Sequence, residues 1–408
     1  MRFLMPEPTS RLTAPILSPW RTAMLGAVAL FVGLGIARFG YSPLIPALVH
    51  ARWFTPGVAD FLASVNLVGY LIGAVITGTW LAHRAPAPWL RAAMLVASGS
   101  LAACSLNWGF AWYAVWRLLA GVAAGVLMVL AVPSILALVP ARTRGVVGGL
   151  IFGGVGVGMI FSGEAIPALV RLGLPAAWLL LALLGFVLTA IVWSGWSVMA
   201  VAPAEVAPPP PLGARRQSMP GGARVRDAGA WAFVWLFAAY CCNAVGFAPH
   251  SLFWVDFIAR QLSRGLQAGG HDYLLFGIGV TFGPLAAGWL GDRFGVRRSL
   301  AAGMVIEALG LALPLWATTT GPLVISSLLV GAAGMGATTL FAARTVELTP
   351  PARRTRAWGV MTLAFSSAYA AAAMAFSGIY AHASRYEPIF LIGALALVVG
   401  ALLAALAR

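Results

Sequence analysis

Three charged side chains stand where charge is unfavourable. Arg38 lies in "GIARFGYSP" (35–43), inside an apolar stretch from about Ala23 to Val49, with no acidic residue within twenty positions on either side. Arg117 lies in "RLLAG" (117–121) and Glu164 in "FSGEAIP" (161–167), both also in apolar surroundings. A guanidinium presents its donors in a planar fork that can hold a carboxylate through two hydrogen bonds, so an intramembrane arginine suits an anionic ligand. A buried acid beside an arginine suits proton exchange, because burial raises its proton affinity and the cation lowers it. An arginine at the centre of a span is unfavourable by about 2.5–3.5 kcal/mol, so these side chains should face a watery cavity or a buried partner rather than lipid.

The elements that must position them are membrane spans. Of the 408 residues, 61% are hydrophobic and 9% charged. Globular domains carry roughly 25% charged residues, so this chain reads as a polytopic membrane protein. The formal charge of +15 comes from arginine alone, with no lysine, and the arginines sit mainly between apolar runs. That distribution sets membrane orientation and argues against nucleic-acid binding. Spans are expected at roughly 21–50, 58–82, 88–107, 109–139, 145–170, 174–199, 230–259, 272–291, 298–317, 321–345, 357–381 and 387–407. The first is too long for a signal peptide and reads as a retained span. The Pro-, Gly- and Arg-rich stretch 201–229 reads as a cytoplasmic linker between an N-terminal bundle (1–200) and a C-terminal bundle (230–408). With both termini in the cytoplasm, eighteen arginines fall on the cytoplasmic side and five outside, a positive-inside bias.

The halves repeat. "FGYSP" (39–43) parallels "VGFAP" (245–249). Gly73 and Gly78 recur as Gly283 and Gly288, and Gly121 and Pro140 as Gly331 and Pro350, all at an offset of 210. "PARTRG" (140–145) is echoed by "PARRTRAWG" (351–359). Two six-helix halves of like topology make a transporter architecture, with its substrate site at their interface near the bilayer midplane.

"GWLGDRFGVRR" (288–298) resembles the loop motif of the major facilitator superfamily, matched at Gly288, Asp292, Arg293, Gly295, Arg297 and Arg298. The companion segment "GTWLAHRAPAPWLR" (78–91) keeps Gly78 but has Ala82 in the acidic position. "RLLAG" is similar to the family's Arg-x-x-x-Gly motif, and "GGLIFGGVGVGMIFSG" (148–163) is glycine-rich like its antiporter motif but lacks the Gly-Pro pair. "GIARFGYSPLIP" with "NLVGYLIGA" (66–74) is similar to the uncharacterised bacterial YbfB/YjiJ-like subgroup. The resemblance implies an all-α integral membrane protein of twelve transmembrane helices in two six-helix bundles. It also implies a path lined by the first, fourth, seventh and tenth spans.

On this reading Arg38, Tyr41, Asn66, Arg117, Tyr240 and Asn243 are candidates for the substrate pathway. Arg38 either meets an anion in the cavity or is tied to backbone carbonyls or Glu164. Arg117 and Glu164 lie roughly 12 and 10 Å below the outer edge of consecutive spans at about 1.5 Å per residue, so Glu164 is expected to pair with Arg117 and to be a proton-coupling acid. Asn243 either touches solute or bonds a neighbouring helix, and Glu307 is expected to pack against a polar neighbour. His250 and Asp256 are expected at an outer gate or in interfacial water. The loop motif, with Glu347 as partner for Arg293 or Arg298, could latch the cytoplasmic side. Trp20, Trp53, Trp89, Trp108, Trp254 and Trp358 fall near expected span ends, as an aromatic belt requires. Cys104, Cys241 and Cys242 lack metal-type spacing and read as core residues. "GGVGVG" (153–158) lies inside a span and reads as helix packing rather than a dinucleotide site.

The expected function is secondary active transport of a small organic solute, anionic or amphiphilic, by alternating access and driven by protons. The alternative is a non-transporting sensor or scaffold of the same fold. No enzymatic chemistry, cofactor or metal is expected, and the protein is expected as a monomer in a bacterial inner membrane.

Overall fold

The computed structural model describes residues 18–81, 84–139, 144–200, 222–350 and 353–407, all helix and connecting turns with no strand among them. Ala82, Pro140 and 201–221 of the expected linker lie outside the described residues.

The helices are α1 Trp20–His50, α2 Pro56–Leu81, α3 Pro86–Ala103, α4 Phe110–Ala137, α5 Arg144–Val170 and α6 Leu174–Val192 in the first half. The second half has α7 Trp231–Gln261, α8 Gly265–Phe294, α9 Val296–Leu315, α10 Thr320–Leu348, α11 Arg354–Ala383 and α12 Glu387–Leu406. Eleven of them are long and apolar enough to cross a membrane. The exception is α3, whose first turns carry Pro86, Pro88 and Arg91 and which spans only 18 residues. The helix leading into α7 already begins at Gly222, inside the stretch expected as linker. Large apolar side chains such as Leu183, Ile191, Leu285, Leu309 and Leu402 are exposed, as lipid-facing positions of a bundle should be.

The sequence repeat is a packing repeat. A Cβ placed on Gly73 would lie 2.2 Å from the Val122 carbonyl oxygen, and one on Gly283 would lie 2.2 Å from that of Ala332. Gly121 abuts the Asn66 carbonyl, and Gly331 that of Phe276. Each pair of contacts is related by the same offset, so α2 grips α4 as α8 grips α10. Small residues let backbones approach where lipid provides no hydrophobic drive between helices.

The halves meet along α5 with α8 and α2 with α11. The hydrogen bonds between them cluster on the side away from the starts of α1 and α7, here the far side. Ser42 Oγ donates to the Ser251 and Leu252 carbonyls at 2.9 and 3.0 Å. Tyr273 Oη donates to the Phe39 carbonyl at 3.2 Å, and the Ser64 and Ser377 hydroxyls lie 3.0 Å apart. At the near-side ends of α2 and α8, a side chain on Gly78 or Gly288 would meet nothing within 4 Å.

Gly73→Val and Gly283→Val should each lower the thermal midpoint in detergent, by an amount corresponding to about 1–3 kcal/mol of overpacking. Gly78→Ala should leave it unchanged, and equal loss at all three positions would contradict the packing repeat.

Candidate functional site

Residues Phe31–Phe39 of α1 wind as a π-helix, with the Gly40 N–H bonding the Gly35 carbonyl at 3.0 Å. Wide turns of this kind disturb the regular ladder and often mark functional positions. Two arginines attend this segment in different ways. Arg117, only 2% exposed, donates from Nη1 to the Ala37 carbonyl at 2.7 Å, where the π-turns pass back into α-helix, and sits 4.2 Å from the centre of the Tyr41 ring. Asn66 Nδ2 donates to the Arg117 carbonyl at 2.8 Å and Tyr41 Oη to that of Ala59 at 3.0 Å. Arg117, Tyr41 and Asn66 therefore form one buried set inside the first half.

Arg38 has no such carbonyl among the described residues. Its guanidinium lies 4.9, 4.5 and 5.2 Å from the ring centres of Phe39, Tyr70 and Tyr369, and its buried Nε has no hydrogen-bond partner among the described residues. Aromatic faces attract a cation, more strongly once it is desolvated. Tyr70 is on α2 and Tyr369 on α11, so Arg38 occupies the seam between halves, near the middle of α1. Tyr369 is held by the Ser251 hydroxyl at 2.5 Å.

The expected Arg117–Glu164 ion pair is not formed. Glu164 is exposed on α5, while the adjacent Gly163 faces the Gly270 backbone. Matching depth did not imply matching direction, because each helical residue turns about 100° from the last. With Glu164 exposed, the expectation of a buried proton-coupling acid there loses its basis.

In the second half Asn243 Nδ2 donates to Glu307 Oε2 at 2.9 Å, and Glu307 is fully buried. Glu307 thus has the polar neighbour expected of it, and Asn243 bonds a neighbouring helix. Tyr240 packs with Phe341, Trp358 and Phe365, with ring centres 4.4, 6.0 and 4.8 Å away. His250 is not interfacial: it is fully buried, stacked on Trp254 at 3.9 Å and bonded to Ser326 at 2.8 Å. Trp254 is buried with it rather than in an interfacial belt.

On the near side, α8 ends at Phe294 and Gly295 turns the chain into α9 with φ of 88°, a conformation that favours glycine. Asp292, Arg293 and Arg298 are exposed there. Glu347 pairs with Arg344 at 2.7 Å, not with Arg293 or Arg298, because the two share one helix turn three residues apart. Arg344 also donates to the Ala407 carbonyl at 2.6 Å and Arg297 to that of Ala405 at 2.7 Å, capping the end of α12.

One group was missed from sequence. Asp60, fully buried near the far end of α2, meets Tyr386 Oη at 3.1 Å, and Tyr386 also bonds Asp256, which is ion-paired with Arg260. An acid near a span end carries no signal by itself, and its partner lies 326 residues away.

Residues 30–405 match the family model described as uncharacterised MFS-type transporter YbfB. The chain belongs to this family of MFS-type transporters. It is therefore a multi-pass membrane transporter for a small solute, and the family is not one of enzymes. No curated protein matches the chain.

For this transporter, Arg117→Met should lower the thermal midpoint by the equivalent of about 1–3 kcal/mol, the loss when a buried carbonyl is left without its donor. Glu164→Gln should change it little. A loss from Glu164→Gln equal to that from Arg117→Met would restore the ion pair.

Proposed function

We propose that the protein is a proton-driven secondary transporter for a small organic anion with an apolar or aromatic body, working by alternating access. The observation that carries this reading is the environment of Arg38. A guanidinium at mid-membrane depth, on the seam between halves, keeps an unpaired buried donor and is walled by Phe39, Tyr70 and Tyr369. A carboxylate bound there would take the donors, and its hydrocarbon portion would lie against the rings. Arg117 serves the same fold differently, by fixing the π-segment that carries Arg38.

The positive-inside bias supports assigning the near side, with both termini, to the cytoplasm of a bacterial inner membrane. The far-side hydrogen bonds then seal the outer face, and the exposed loop motif belongs to a cytoplasmic face that is parted. The protein is in the inward-facing member of an alternating pair. On closing inward, Asp292, Arg293 and Arg298 come against the other half and form the cytoplasmic latch. One chain carries both halves, so a monomer suffices.

The purified protein should gain thermal stability from aromatic or amphiphilic organic acids, and Arg38→Ala should abolish that gain while retaining the ligand-free midpoint to within a few degrees. Equal stabilisation of wild type and variant would remove Arg38 from the site. In proteoliposomes, an imposed pH gradient should drive solute across the membrane. Flux that persists undiminished after every ion gradient is collapsed would exclude the coupling.

A further inference from the structure

The far-side closure contains a hydrogen-count problem. Tyr386 Oη carries a single hydrogen, yet it lies within hydrogen-bonding distance of a carboxylate oxygen from Asp256 and, at 3.1 Å, of Oδ2 of Asp60. A phenol can donate to one carboxylate, not two, and an ionised carboxylate has no hydrogen to give back. Two carboxylates can share this oxygen only if one is a carboxylic acid that donates to it.

The surroundings decide which. Asp256 receives Nε and Nη2 of Arg260 as well as Tyr386, so its charge is matched by a guanidinium. Asp60 receives no donor from Arg260, is fully buried, and its Oδ1 has no partner among the described residues. The groups facing it are Asp256 and Arg260 of α7, Tyr386 ahead of α12, Tyr380 of α11, and Tyr41 of α1, which donates to the adjacent Ala59 carbonyl. Arg260 also donates towards Tyr380 at 3.2 Å and Tyr386 at 3.5 Å, and Glu387 is bonded to Gln261 at 2.9 Å. One guanidinium thus faces two buried acids. A hydrogen on Asp60 makes the set of Asp60, Asp256 and Arg260 neutral, whereas two ionised acids would leave an uncompensated buried charge.

We infer that Asp60 is a proton-binding site, loaded from the far side, whose protonated form holds the two halves together through its hydrogen bond to Tyr386. Asp60 belongs to the first half, while Tyr386, Asp256 and Arg260 belong to the second, so this bond crosses the seam. The step is a simple protonation: the Asp60 carboxylate takes one proton from far-side water as the halves close, and its O–H then donates to Tyr386 Oη. Parting of the halves hydrates Asp60 and returns the proton to that water. By linkage, closure of the far side is favoured at low pH and opening at high pH. The site is a matter of geometry and stands apart from the transport reading: a proton taken from and returned to far-side water regulates closure without itself crossing the membrane.

The test uses full-length protein with Cys104, Cys241 and Cys242 replaced and spin labels on Leu172→Cys and Trp316→Cys, exposed far-side positions in the two halves. Raising pH should shift the wild-type inter-label distances from short to long. Asp60→Asn, which donates without titrating, should hold the short distance across the pH range. Infrared spectra should show a protonated-carboxyl band lost on raising pH in the wild type and missing from Asp60→Asn. Asp60→Glu, which keeps a titrating group, should retain the response with a displaced midpoint, and it serves if the asparagine variant does not fold. A full wild-type pH response in Asp60→Asn, an unaltered infrared band, or no wild-type response overturns the proposal. Solute counterflow at symmetric pH is read separately. Its absence from the wild type would overturn transport without touching the proton site. Its persistence beside an unaltered pH response in Asp60→Asn would overturn the proton site alone.

Discussion

A charge inside an apolar bilayer must find its partners within the protein, and the arrangement of this molecule follows from how two guanidiniums meet that demand. Arg117 is satisfied by a backbone carbonyl at the end of the π-segment and is shut inside the first half. Arg38 rides on that segment and is left with aromatic faces and an unpaired Nε on the seam. The first arginine holds the helix that presents the second. The two differ in whether a carbonyl of the described residues is within reach.

The same demand shapes the two halves. Within each, backbone approaches at paired glycines lock α2 to α4 and α8 to α10, giving rigid bodies. Between them the bonds are few, polar and concentrated on the far side, through Ser42, Ser64, Tyr273 and Asp60. The halves also pack closely along α5 and α8, where Gly163 and Gly270 face each other's backbone, and bundles of this kind can rock against one another about such a contact.

Much of this was legible in the sequence. Span positions followed from apolar runs, and the offset of 210 between glycine pairs foretold contacts that the fold repeats. Arg38 was legible as anomalous because no acid lies near it in sequence. Three things were not. The direction of Glu164 depends on helix rotation at a single residue, which depth arithmetic does not carry. The partner of Glu347 is not across the loop, because Arg344 stands one turn away on its own helix. Asp60 is ordinary in its local sequence and acquires meaning only from Tyr386, brought to it from the far end of the chain. Conversely, α3 falls short of the apolarity of the other spans because Arg91 and its prolines start it, yet it takes its place in the bundle.

Alternating access requires the far-side seam to open and close. Ser64→Cys with Ser377→Cys, whose parent hydroxyls are 3.0 Å apart, places two sulfur atoms within bonding reach across it. In proteoliposomes with the native cysteines replaced, transport of a stabilising organic acid should cease on oxidation and return on reduction. Undiminished transport with the disulfide fully formed would contradict the rocking of two halves about Arg38.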